Sequence, residues 1–532
     1  MPRILLRAGK DPFAVSGPEE TLARNVLGMN SGNALFSSAV HRILSRPGTE
    51  IVADGFGAQR DGFSDNDIAR LDEEFDAFVL PMANAFRRGF TRNLDNLTRV
   101  IEGLSIPVVV VGVGAQLRLD DDGSSARPQG SEHILRFLRA VLERSASIGV
   151  RGEVTRNYLL HLGISDDQID MTGCPSLSVS SGPAVVKKVA AIGPDSPISI
   201  NLTAGVPELG GLLARHLARY RDMDFLPQEN GTLGMLLWGE DDPEGRFDPR
   251  LPHHVDHPMY QQGRMRFFID PTTWIDHLGT RDFVFGTRIH GNVAALMAGT
   301  PAVALPWDSR TSELCDFHSI PHRRATPELM ATVDAAELYA EADFGPFNAA
   351  RAGRRAEFVA FLGRNGLAAA EEFGEHAEAY DARLAEVPFA PPVTPLRADT
   401  DAGPAEIVRR LQWLRQGIRG DSLRTGLLPV AATTAALSVE ALSKRVARLE
   451  TARRTEADAA SKLAAETTRK REAEVATWVT RVSTLERELK AERRKRAEVE
   501  RRRPSARMRR LLRSPITTIR RRLARRRPGA SA

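Results

Sequence analysis

Phe283-Val284-Phe285-Gly286-Thr287-Arg288-Ile289-His290-Gly291-Asn292 reads as a strand, a turn and the first residues of a helix. Phe283 to Phe285 has the aromatic and β-branched composition of a buried strand. Val293 to Met297 is small and apolar, as a helix lying close on a sheet must be. Gly299 stops that helix, and Pro301-Ala302-Val303-Ala304-Leu305 is the next buried strand. A β-α-β unit of this kind predicts a parallel, doubly wound sheet. Arg288 and His290 fall in the strand-to-helix turn, where free backbone N–H groups and the helix dipole favour an anion. Arg288 adds a planar cationic fork for carboxylate or phosphate, and His290 a side chain that titrates near neutrality. The plainer alternative pairs Arg288 with a structural acid and packs His290 as a half-buried histidine. The polar cluster Trp307-Asp308-Ser309-Arg310-Thr311-Ser312-Glu313 favours function, because open α/β sheets bind ligands beyond the carboxyl ends of their strands.

The same alternation fills the chain before this unit. Ile4 to Leu6 is a first strand. Asn30-Ser31-Gly32-Asn33 is a small polar loop before a helix at 34–44, a second candidate cradle for an anion or substrate. Phe75 to Pro81 is a strand that places Asn84 and Arg87 at its carboxyl edge. Pro107 to Gly114 is a buried parallel strand whose glycines let a ligand approach the backbone. It lacks the third glycine of a dinucleotide fingerprint. Arg151 repeats the placement of Arg288, at a strand end before a helix, with a salt bridge to an acid such as Glu153 as its structural alternative. Residues 181–195 read as a linker. A second strand series begins at Ile198 and includes Met223 to Pro227; Met235 to Gly239 is a further apolar run. His253-His254-Val255-Asp256-His257 matches no standard metal-site spacing, and no metal is expected.

At 532 residues the chain is too long for one core. Its formal net charge of +5 conceals an asymmetry: residues 501–532 hold 13 arginines and no Asp, Glu or Lys, which leaves +5 − 13 = −8 for residues 1–500. Cys174 and Cys315 make neither a disulfide framework nor a zinc site, which fits a reducing cytoplasm. The N-terminus lacks the apolar core of a signal peptide, and no apolar run reaches the length of a spanning helix.

These features predict an α/β protein of two Rossmann-like domains facing a cleft, at 1–185 and 196–345, with bracing helices at 346–385. A proline-rich linker with a short helix follows at 386–434. Leu442, Val446, Leu449, Val475, Trp478, Val482, Leu485 and Leu489 keep a heptad-like spacing within 435–500, which predicts a coiled coil and a homo-oligomer. In the 501–532 tail, Met508, Leu512, Ile516, Ile519 and Leu523 share one helical face among arginines. That pattern points to an anionic membrane surface or a disordered solubilising tail; nucleic acid is disfavoured, because no aromatic interleaves the arginines.

The ordered motifs Asn30-x-Gly32-Asn33, Pro107-Val-Val-Val-Val-Gly112-Val-Gly114, Val150-Arg151-Gly-Glu-x-Thr155 to Gly163-Ile164, Gly173-Cys-Pro175, Arg288-x-His290-Gly291 and Gly299-Thr-Pro301 resemble the polysaccharide pyruvyl transferase family over roughly residues 20–330. The resemblance implies a fold similar to two-domain GT-B glycosyltransferases. It implies transfer of a pyruvyl group from phosphoenolpyruvate onto two hydroxyls of a bacterial cell-surface glycan or its lipid-linked precursor, giving a cyclic ketal, with no cofactor. By resemblance Arg288 and Arg151 hold the donor's carboxylate and phosphate, with Gly291 and Asn292 beside them, and His290 is the general acid or base. Asn30, Asn33, Asn84, Asp308 and Glu313 are the acceptor candidates. Gly32-Asn33 stands where family members often carry Gly-Asp, and Ala83-Asn84-Ala85-Phe86 replaces a glycine-rich segment. The expected location is cytoplasmic, at the inner membrane face. Two other functions fit the pattern: a GT-B glycosyltransferase using a nucleotide sugar, with Glu313 meeting a ribose, and a non-catalytic glycan-binding coiled-coil scaffold.

Overall fold

The computed structural model describes residues 1–124, 130–179, 185–189, 191–206, 208–239, 241–242, 248–370, 375–397, 403–417, 476–477, 480–481 and 483–498. The chain divides into two compact units, Met1–Leu428 and Pro429–Ala532. The first unit holds two parallel sheets. One has the order β2-β1-β3-β4, with β1 at Arg3–Leu6, β2 at Glu50–Ala53, β3 at Ala77–Pro81 and β4 at Val108–Val111. A parallel pair, β5 (Ile148–Val150) and β6 (Ile169–Met171), joins it through a parallel bridge between Val113 and Val150. The other sheet has the order β10-β9-β7-β8, with β7 at Ile198–Asn201, β8 at Met223–Phe225, β9 at Phe283–Gly286 and β10 at Ala302–Ala304.

Alternation along single strands explains why both faces are covered. In β4, Val109 and Val111 pack with Val40 and Ile43 of the helix Gly32–Leu44, whereas Val108 and Val110 pack with Leu94 and Leu97 of the helix Thr91–Gly103. In β9, Phe283 and Phe285 enter one core and Val284 another. Each strand is therefore apolar on two faces and reads as a continuous run. The apolar run at 235–239 is not a strand. It ends the helix Asn230–Trp238, where Leu233, Met235, Leu236 and Leu237 are all buried and no polar face marks a helical period. Gly239, at φ 72°, caps that helix in the left-handed region.

The strands of the first sheet lie before residue 172 and those of the second after residue 197, but the packing crosses that division. Leu27, with Leu22 of the helix Pro18–Ala23 against it, belongs to the core of the second sheet. In the other direction the helix Gly345–Arg364 places Phe358, Phe361 and Leu362 among Ile4, Leu6, Val109 and Val111 of the first. The helix Gly403–Gly417 returns to the second, where Trp413 meets Trp238 and Arg410 donates to the carbonyl of Leu236.

In the second unit the described residues between 476 and 498 are helical, with Leu485 and Leu489 each 55% exposed one turn apart. Most of the expected coiled coil at 435–500, and all of the basic segment at 501–532, lie outside the described residues. Among the described residues no helix is long and apolar enough to cross a membrane.

Candidate active site

The carboxyl ends of strands from both sheets line a cavity of about 370 Å³. Arg7, Asn84, Arg87 and Gln116 come from the first sheet, Gln228, Glu229, Arg288, His290 and Arg310 from the second, Asn30 from just before the helix Gly32–Leu44 and Asn33 from its first turn. Four arginines face this space, and Glu229 is the single carboxylate among its lining residues. A cavity of that balance selects an anion.

His290 sits on the first turn of the helix Ile289–Met297, which no side chain caps. Its ring is buried, and Nε2 has no hydrogen-bond partner. Burial, followed by the positive charges of Arg151, Arg310 and Arg288, holds the imidazole well below its ordinary range, so the free protein carries it neutral. Two features admit it. Phe36 packs edge-on to the ring at 6.1 Å, and Gly32 lies against it so closely that a Cβ there would fall 2.2 Å from Nδ1.

Arg288 forms an ion pair with Glu229, its backbone N–H donates to Asn201 Oδ1 at 2.9 Å, and its Nε donates to the carbonyl of Leu202 at 3.3 Å. Burial pushes Glu229 up, partly opposed by Arg288. Arg151 does not line the cavity. It is fully buried beside His290, with its guanidinium 5.8 Å from the Phe36 ring, and Nε, Nη1 and Nη2 all lack partners. Desolvation lowers it to about 10. Arg310 does line the cavity. Its Nη2 donates to Asp308 Oδ2 at 2.9 Å, its Nε is unpartnered, and its stem passes where a Cβ on Gly114 would lie 2.7 Å away.

The other expected site residues divide. Asn30 lines the cavity and donates to Glu229 Oε1 at 3.0 Å, while its Oδ1 accepts from the Gly32 N–H at 2.8 Å. Asn33 also lines it, but its amide is engaged by the carbonyls of Leu27 and Gly28. Asn84 donates to Gln116 and keeps a buried, unpartnered Oδ1. Gly291 and Asn292 lie under the turn rather than in the cavity: the Gly291 N–H donates to the Arg288 carbonyl, and Asn292 Nδ2 donates to the carbonyls of Gly286 and Arg288.

Asp308 and Glu313 are placed away from the cavity lining. Asp308 caps the helix Ser309–His318 through the Thr311 N–H, and although burial raises its pKa, Arg310 and the Thr311 hydrogen bonds together bring it below the ordinary carboxylate value. Glu313 accepts from the backbone N–H and hydroxyl of Thr155, with burial raising it to about 7. These hydrogen bonds tie the second sheet's helix to the first sheet. Sequence reasoning passed over Arg310, Glu229, Gln228 and Arg7. Only Arg310 lay inside a quoted motif, and nothing local marks the other three. Among the described residues no group of three or more His, Cys, Asp or Glu is placed to hold a metal ion. His253 pairs instead with Asp242 at 3.0 Å, and His257 Nε2 contacts the Arg250 carbonyl.

The family model of the polysaccharide pyruvyl transferases matches residues 30–309, more than half of the chain. The chain belongs to that family and is a transferase. Comparison with curated proteins finds no match. Among solved structures, MnaA of S. aureus with UDP is 11% identical over 73% of this chain and 99% of its own, with a TM-score of 0.36. HepE of Anabaena with UDP and glucose is 11% identical over 71% of this chain and 100% of its own, with a TM-score of 0.36. UDP-GlcNAc 2-epimerase of Neisseria meningitidis with UDP-GlcNAc is 10% identical over 73% and 100%, with a TM-score of 0.32. Likenesses so distant carry no argument about chemistry.

Proposed function

We propose that this transferase moves the pyruvyl group of phosphoenolpyruvate onto two hydroxyls of a cell-surface glycan or its lipid-linked precursor, forming a ketal. The observation that supports it is a buried neutral His290 set among Arg151, Arg288 and Arg310 in a member of this family. The donor brings a carboxylate and a phosphate, and the guanidinium groups of Arg288 and Arg310, which line the cavity, match both, with the charge of buried Arg151 behind them. A multiply charged anion there offsets the repulsion from the arginines, which opposes the effect of burial and raises the imidazole's affinity for the proton it is proposed to gain as the donor binds. His290 then protonates the methylene carbon, a hydroxyl adds to the neighbouring carbon, and the arginines stabilise the departing phosphate. No resident cofactor is needed.

Asn30, Asn84 and Gln116 offer amide groups to sugar hydroxyls from the first-sheet side. The nucleotide-sugar alternative loses its ribose ligand, because the Glu313 carboxylate is committed to Thr155. We place the protein in the cytoplasm, with residues 501–532 against an anionic membrane surface. Exposed Leu485 and Leu489 support a helical seam between copies.

A thermal-shift titration of wild type and Arg288→Ala with phosphoenolpyruvate, UDP and GDP tests the reading. Stabilisation by phosphoenolpyruvate alone, reduced in the variant, is expected. Stabilisation by a nucleotide alone refutes it, and indifference to all three favours the non-catalytic scaffold.

A further inference from the structure

We propose that Glu229 is the base that takes the acceptor hydroxyl's proton, and that the donor unmasks it by drawing Arg288 away. The inference rests on the phosphoenolpyruvate reading above. Glu229 is the single carboxylate lining a cavity otherwise faced by arginines, amides and His290. Its Oε1 takes both strong contacts, the ion pair with Arg288 Nη1 and the 3.0 Å bond from Asn30 Nδ2. Its Oε2 receives only a 3.4 Å contact from the Gln228 N–H.

A donor carboxylate that binds Arg288 therefore competes with a carboxylate already there. The exchange leaves Glu229 with Asn30 on one oxygen and a new negative charge nearby, and both changes raise its affinity for a proton. The groups facing it are Arg288 and Asn30, the buried pair His253 and Asp242 behind it, and His290, Arg310 and Arg87 around the same cavity. Burial already holds it above the ordinary carboxylate range. Asn30 comes from the loop after β1, so the base is aimed by the first sheet while its partner Arg288 belongs to the second.

The steps balance. In the first, the hydroxyl O–H breaks and its proton passes to Glu229. The oxygen bonds to C2 of the donor, and the C2–C3 π pair takes a proton at C3 from the His290 imidazolium. In the second, the C2–O bond to phosphate breaks with its electron pair, and the second hydroxyl oxygen bonds to C2. That hydroxyl's proton returns to His290, and Glu229 gives its own to the phosphate. The products are the ketal and hydrogen phosphate.

Calorimetric titration of the full chain with phosphoenolpyruvate, in buffers of different ionisation enthalpy, counts the protons taken up on binding. Glu229→Gln is expected to take up as many protons as wild type, because Glu229 stays ionised until the acceptor arrives, and to bind about 10-fold more tightly, because Arg288 no longer has to be released. An uptake about one proton smaller in the variant overturns the proposal, since a carboxyl already protonated in the donor complex cannot take the hydroxyl's proton. If the amide variant does not fold, Glu229→Asp withdraws the carboxylate from Arg288. It is expected to keep the uptake and bind more tightly, and weaker binding than wild type counts against the unmasking. With labelled phosphoenolpyruvate and the polysaccharide fraction of the producing cells, Glu229→Gln is expected to transfer about 100-fold more slowly. Transfer at the wild-type rate removes the base role. A wild type that does not bind phosphoenolpyruvate at all refutes the donor itself, a result distinct from all of these.

Discussion

Replacing Arg151 with methionine is expected to make the free protein more stable and to weaken its response to the donor, on which its buried charge acts from behind the cavity lining. The guanidinium is fully buried with three unpartnered nitrogens. Its fall from 12.5 to about 10 is some 2.5 units, and at about 1.4 kcal/mol each this corresponds to about 3 kcal/mol of strain in the folded state at pH 7. Methionine fills similar length without charge. The lost contact with Phe36 returns about 1 kcal/mol of that gain. A net stabilisation of about 1–2 kcal/mol remains, seen as a rise of a few degrees in the melting temperature. The sign has a pH window. A base with a depressed folded pKa weakens the fold while it is charged and ceases to do so as pH rises through the folded value, so the advantage of Arg151→Met shrinks above about pH 10. Differential scanning fluorimetry at pH 7, with and without phosphoenolpyruvate, measures both quantities. Wild type at a hundred times its dissociation constant gains about 2.7 kcal/mol, and the variant is expected to lose part of that. A variant that melts well below wild type refutes the reasoning, since it makes Arg151 a satisfied structural cation. Undiminished donor stabilisation shows instead that Arg151 does not serve the donor.

Gly32→Ala is expected to fold, because alanine's helix preference of about 0.5–1 kcal/mol offsets part of the crowding. Its Cβ, aimed 2.2 Å from His290 Nδ1, displaces the ring by about 1 Å and is expected to slow pyruvyl transfer about 100-fold; unaltered transfer shows the ring free to move. Glu313, raised to about 7 by burial, binds its proton more tightly in the folded chain than in the unfolded one. Stability is therefore expected to fall between about pH 4.5 and 7, and Glu313→Gln to flatten that slope in urea titrations; a parallel slope in the variant removes Glu313 from the effect. Cys174 and Cys315 are buried, and desolvation raises both thiols, so neither is expected to react with a thiol reagent until the protein unfolds. Rapid labelling of the native chain contradicts that expectation.

The unit around β9 was legible because a strand buried on both faces, a glycine stop and a small-residue helix each have a local cause. Arg288 and His290 followed from their place at its turn. The partners of these residues were not legible. Glu229 reaches Arg288 across 59 positions of sequence, and Asn30 reaches Glu229 across 199. Gly32 and Gly114 read as ordinary loop and strand-end glycines, yet they are small because His290 and Arg310 of the other sheet press against them. Asp308 and Glu313 occupy the position that strand ends give to ligand contacts. Their carboxylates turned instead to a helix cap and to Thr155, since a buried acid binds the nearest free N–H. The run at 235–239 read only as apolar, because burial on every side erases the period that distinguishes helix from strand.

The interlaced packing sets an order of assembly during synthesis. The first sheet can pair its strands once β6 has emerged, but the face formed by Ile4, Leu6, Val109 and Val111 is not sealed until Phe358, Phe361 and Leu362 arrive nearly two hundred residues later. Leu22 and Leu27 likewise wait for the second sheet. The growing chain therefore carries an apolar surface through most of translation, a natural station for a holding chaperone. Neither half is a module that can be cut out, exchanged or expressed alone, although each sheet drawn separately looks complete.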